Sequence, residues 1–157
     1  MTHTHNEPHS IDRHTAVAVI LSGQRKQVVT QGFGFLCDEN TDERPAVAPT
    51  PMGYLRAGIA ACMMTKIHEA AEAFGLPYTH ARAEATNRNR TLGDFASGDI
   101  VVLTDEVRVL VVLDTPATDE HLIREVLRTA TNASHALATV RTYATVEYQV
   151  NDRPFTV

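Results

Sequence analysis

A chain of 157 residues with 43% hydrophobic content has the size of one ordinary domain and is long enough to bury a core. Its 14 basic residues stand against 19 acidic ones, a formal charge of -5; the arginines are scattered among acids, which argues against nucleic acid as a partner because phosphate binding depends on clustered cations. The longest apolar runs, such as Val107 to Leu113, fall far short of the ~18 continuous apolar residues of a membrane span, and Arg108 interrupts this one.

Met1 to His14 is polar and lacks apolar periodicity, so it is expected to be a flexible tail ahead of a single domain over 15–157. The spacing of His3, His5, His9 and His14 matches no closed tetrahedral pattern, and no cysteine lies nearby, so no metal site is expected there. The tail has no apolar segment after a basic start and does not resemble a secretory signal. The expectation is a cytoplasmic protein whose two cysteines, Cys37 and Cys62, are too few for a disulfide framework and rest as free thiols.

Thr15 to Ser22 is rich in Ala, Val, Ile and Leu; Gly23 to Lys26 break the run and Gln27 to Thr30 resume it, which is a hairpin signature. A third strand is expected at Phe33 to Cys37. The acidic stretch from Asp38 to Pro49, with Pro45 and Pro49, reads as a loop.

Thr50 and Pro51 form a helix start, because a threonine side chain accepts from an unpaired backbone N–H and proline fits the first helical position. The helix is expected to run to Phe74, where Gly75 and Pro77 stop it. Small residues (Ala57, Gly58, Ala60, Ala61, Ala70) occupy several of its faces, so the prediction is a central helix buried on more than one side. Met63 and Met64 read as core filling. Glu69 and Glu72 lie on the more polar side, solvated or paired with arginines across an interface.

Thr79 to Arg90 and Glu106 to Asp114 read as strands, with Ile100 to Leu103 an additional strand or an apolar turn. From Thr118 a second helix carries Leu122, Ile123, Val126, Leu127 and Ala130 on one face. Ser134 to Val140 follows as a short helix and Thr142 to Val150 as a final strand. Strands and helices alternate too irregularly for a doubly wound parallel sheet, which leaves α+β. His68, His80, His121 and His135 are isolated and read as surface or capping residues.

The segment Ala48-Pro49-Thr50-Pro51-Met52, followed by Leu55, Ala57 and Ala60-Ala61-Cys62-Met63-Met64-Thr65, resembles the signature of the OsmC and organic hydroperoxide resistance superfamily. The resemblance implies antiparallel sheets around a central buried helix, and an intertwined homodimer with its site at the subunit interface. It also implies thiol-dependent reduction of organic hydroperoxides in oxidative stress defence. A peroxidatic thiolate attacks the peroxide, becomes a sulfenic acid, and is resolved by a second cysteine. Cys62 falls on the peroxidatic position. The expected partners are a second copy, a small hydroperoxide and a thiol reductant, with no cofactor or metal.

Three other features of the family pattern are missing. Thr131-Asn132-Ala133-Ser134 holds no resolving cysteine, Met52-Gly53-Tyr54 holds no glutamate, and the strand near Gln31 holds no arginine, leaving Arg25 or Arg44 to supply a guanidinium. A free thiol near pKa ~8.5 is mostly protonated at neutral pH, so an activator is needed. Cys62 is too far along its helix to feel the helix N-terminus, whereas Lys66, four residues on and on the same face, is the candidate cation. Cys37 resolves Cys62 only if their Cα atoms come within ~7 Å. Two readings compete with peroxidatic chemistry: Cys62 as a small buried hydrophobe, and a non-peroxidatic relative that binds a small molecule at the dimer interface.

Overall fold

The computed structural model describes residues 14–157, so the expected tail lies outside the described residues except for His14, which is exposed. The chain forms two compact units that meet in sequence between Gly53 and Tyr54.

The first unit carries an antiparallel sheet of β1 (Ala16–Ser22), β2 (Arg25–Thr30) and β3 (Phe33–Cys37) in the order β1-β2-β3. The first turn is tighter than the sequence suggested: Arg25 and Lys26 already belong to β2, and Ser22 pairs with Arg25. Gln31 and Gly32 both take positive φ, 51° and 81°. That is the backbone of a two-residue turn whose twist matches the flanking strands. The acidic segment after β3 contains no strand or helix.

Helix α1 (Pro51–Phe74) begins where expected, and the Thr50 hydroxyl accepts from the Gly53 N–H at 3.0 Å. At the far end Gly75 has φ 70°, and Leu76 N–H returns to the Ala71 carbonyl at 2.9 Å, closing the helix as a left-handed cap does.

The second unit contains most of α1 and a four-stranded sheet ordered β4-β5-β6-β7: β4 (His80–Asp94), β5 (Asp99–Asp114), β6 (Ala144–Val150) and β7 (Arg153–Phe155). Helices α2 (Glu120–Ala133) and α3 (His135–Val140), then a 3-10 turn at Arg141–Tyr143, connect β5 to β6. The core joins the α1 stripe Ile59, Met63 and Ile67 to Val109, Val111 and Leu113 of β5 and to Ile123, Val126 and Leu127 of α2. Val107, Val109, Val111 and Leu113 of β5 turn into the core at alternate positions because successive strand side chains face opposite ways.

Three expectations are corrected. The sheets are not all antiparallel: β5 and β6 pair in parallel from Val107↔Ala144 to Leu113↔Val150. The reason is the connection, since parallel neighbours need a long crossover and α2 with α3 supplies one. Ile100 to Leu103 is no separate element, because β5 runs through it opposite a lengthened β4 with one irregularity near Arg88 and Asn89. Helix α1 buries a stripe (Ile59, Met63, Ile67, Ala70 and Ala71), while Leu55, Ala57, Gly58 and Ala61 are exposed. Side chains three and four apart share one helix face, so the single chain covers that face and no more. Strand β7 has only three residues and went unpredicted; Asn151 and Asp152 turn the chain into it with positive φ.

Candidate functional site

Cys62 sits in the middle of α1, one residue before fully buried Met63, and is itself half-buried. Its neighbour across the fold comes from the junction of α2 and α3. Ser134 has an extended backbone (φ -73°, ψ 106°), so α2 cannot continue through it; the residue ends one helix and caps the next. Its side-chain position is secured from both directions. Before it, the Thr131 hydroxyl lies 2.7 Å from the Tyr148 hydroxyl, tying the end of α2 to β6. After it, Leu137 is buried in the core.

The Ser134 hydroxyl donates to the Cys62 sulfur at 3.4 Å, and the backbone amides of Ala136 and His135 also favour its charged form. Burial is the largest single influence on this thiol and pushes it up. The Ser134 hydroxyl, the Ala136 and His135 amides, and the more distant charge of Lys66 together outweigh burial, so the thiol titrates below its ordinary value. Donors aimed at a sulfur favour the charged form, and the thiolate is the nucleophile. The arrangement is suited to nucleophilic attack on an electrophilic atom from a partly exposed position.

Lys66 makes its direct contact elsewhere. Its ammonium donates to Glu69 at 2.7 Å, and Glu69 is the main reason it is held above its ordinary value, with Cys62 a lesser one. Glu72 pairs with His68 at 3.5 Å. His68, His80, His121 and His135 are exposed.

Arg25 and Arg44 converge on Asp38 in the first unit. Arg44 grips that carboxylate with two nitrogens, at 2.6 and 2.8 Å, and Arg25 Nε lies 3.5 Å away. The N–H groups of Glu39 and Val47 add hydrogen bonds at 3.0 and 3.2 Å. Asp38 is fully buried, and the Arg44 guanidinium first, opposed by burial, holds its carboxyl well below the usual carboxylate range. Cys37, the preceding residue, is buried, and both cysteines are free thiols.

Sequence reasoning found Cys62 and missed Ser134. The available signal was weak: a serine between two helical stretches, which is a cap signature. The amides of His135 and Ala136 leave no trace in a sequence, because every residue but proline carries one.

A family model described as OsmC-like protein matches residues 41–149. No curated protein matches the sequence. The fold is similar to that of an OsmC-like protein from Mycoplasma pneumoniae, with a TM-score of 0.73 at 15% identity, covering 89% of this chain and 96% of that one. It is also similar to an organic hydroperoxide resistance protein from Elizabethkingia anophelis, solved with crystallant-derived thiocyanate bound (TM-score 0.66, 13% identity, 93% and 100% covered). A third similar structure is the organic hydroperoxide resistance protein OsmC from Legionella pneumophila (TM-score 0.61, 14% identity, 90% and 98% covered). At these identities the structures speak for the fold, whereas the family model spans most of the chain and includes both Cys62 and Ser134: the protein belongs to the OsmC-like family.

Proposed function

We propose that this chain reduces organic hydroperoxides with a thiol as reductant, using Cys62 as its attacking sulfur. The observation that carries the reading is the Ser134 hydroxyl donating to a half-buried sulfur whose thiol is lowered from its ordinary value. The Cys62 thiolate attacks the terminal peroxide oxygen, the O–O bond breaks, and the alkoxide leaves and takes a proton from water. The sulfur, oxidised by two electrons, becomes a sulfenic acid.

Thr131 to Ser134, the stretch where the family pattern calls for a resolving cysteine, holds none, so a small external thiol completes the cycle. One thiol condenses with the sulfenic acid, releasing water and leaving a mixed disulfide; a second attacks that disulfide, freeing Cys62 and a symmetric disulfide. Lys66 acts at a distance, as a positive charge that favours the thiolate. The working form is a homodimer in a thiol-rich cytoplasm. The apolar side chains of Val17, Val19, Ile20 and Leu21 on β1, at 57%, 58%, 70% and 50% exposure, support a second copy as their cover.

The test is consumption of an organic hydroperoxide in the presence of a small thiol, by the wild type and Cys62→Ser. Consumption is expected to depend on Cys62. Equal rates in the two proteins would remove the peroxidatic reading and favour a relative that binds a small molecule without turning it over.

A further inference from the structure

We propose that Ser134 is a positioning residue for Cys62, its buried hydroxyl locked as a donor to the sulfur. This inference deepens the peroxidatic reading and, for its consequence in catalysis, rests on it.

The Ser134 hydroxyl has a single proton to give and two lone pairs to accept with. The side chain is fully buried, which denies that proton a water partner. Leu137 N–H donates to the oxygen at 3.3 Å, as expected where a serine caps a helix. Among the described residues, the hydrogen-bond partner of the oxygen on its other side is the Cys62 sulfur, at 3.4 Å. The proton therefore points to the sulfur, and turning it away would leave a buried donor unsatisfied.

The backbone around Ser134 tells the same way. Ala138 N–H returns to the Ser134 carbonyl at 3.0 Å, and Leu137 N–H is taken by the Ser134 hydroxyl. The amides of His135 and Ala136 also favour a charged sulfur. Ser134 thus caps α3 with its oxygen while giving its own proton to Cys62. A cysteine in its place would offer only a weak S–H donor. The consequence is a division of roles: Ser134 favours the thiolate form of the sulfur by donating to it, and it cannot itself form a disulfide with it.

The experiment is the rate of alkylation of Cys62 by iodoacetamide against pH, read on the full chain, with the adduct located by peptide mass spectrometry. Ser134→Ala and Ser134→Gly are compared with the wild type and with Ser134→Thr, which keeps the hydroxyl. The glycine variant keeps most of the cap stability if alanine fails to fold. Loss of a hydrogen bond to a charged group predicts a midpoint raised by about one pH unit in the alanine and glycine variants, roughly tenfold less thiolate below the midpoint. Ser134→Thr is expected to match the wild type. A serine that only capped α3 would alter stability and leave the midpoint in place, so unchanged midpoints in both variants overturn the proposal. A midpoint raised equally in Ser134→Thr also overturns it, since packing and not the hydroxyl would then be responsible. If the wild type consumes no hydroperoxide while the midpoint still rises in Ser134→Ala, the peroxidatic reading fails and this one stands.

Discussion

The Ser134 hydroxyl reaches the Cys62 sulfur at 3.4 Å across 72 positions of chain. The contact puts a serine side chain where one covalent change would create a dithiol. Ser134→Cys is therefore expected to form a disulfide with Cys62 on treatment with one equivalent of peroxide. Non-reducing peptide mapping should show the linked pair, with loss of both titratable thiols. Oxidation of Cys62 that leaves the introduced thiol free would mean that the Cα and Cβ geometry of the pair is unsuited to a bridge.

Lys66→Ala tests the charge on the same helix. Lys66 favours the Cys62 thiolate, so its removal raises the thiol, and alkylation then requires higher pH. The shift should be smaller than that of Ser134→Ala, because the ammonium bonds Glu69 and acts on the sulfur only through space. Added salt should shrink the Lys66 effect and leave the Ser134 effect nearly intact. A Lys66→Ala midpoint identical to the wild type at low salt would show that Lys66 does not tune Cys62.

Asp38 predicts a specific acid sensitivity. Its folded carboxyl lies well below the unfolded value of ~3.9, so the stability it contributes is present above that value and is lost as pH falls through it toward the folded one. Asp38→Asn should lower Tm at neutral pH by removing the charge that Arg44 and Arg25 share. The gap between variant and wild type should narrow at about pH 3, where the wild type begins to lose the same contribution. Thermal unfolding followed by circular dichroism measures both; a gap of constant size at the two pH values would refute this account.

Ile67 is fully buried in the stripe that α1 presents to β5 and α2. Ile67→Ala should cost about 2–5 kcal/mol, the transfer term of the lost carbons plus the cavity left behind. Urea unfolding reads the change directly. A loss under about 1 kcal/mol would show that the site collapses around the smaller side chain.

The sequence by itself determined most of the elements and singled out Cys62 as the candidate residue. The Thr50-Pro51 start and Gly75 stop of α1, the first three strands and the apolar face of α2 rest on local physics: caps, φ preferences and periodicity act between residues a few positions apart. Cys62 was legible because a cysteine in a Pro-initiated helix stands out within the family pattern. Only the tertiary structure decided how the sulfur is surrounded. The N-terminus of its own helix is too distant to act on Cys62, and the arginines that the family pattern brings to mind, Arg25 and Arg44, pair with Asp38. The donor that reaches the sulfur is the Ser134 hydroxyl, brought there by the parallel β5–β6 crossover that carries α2 and α3. A hydrogen bond acts over about 3 Å and is indifferent to separation along the chain, so contacts of this kind exist only once the fold has formed.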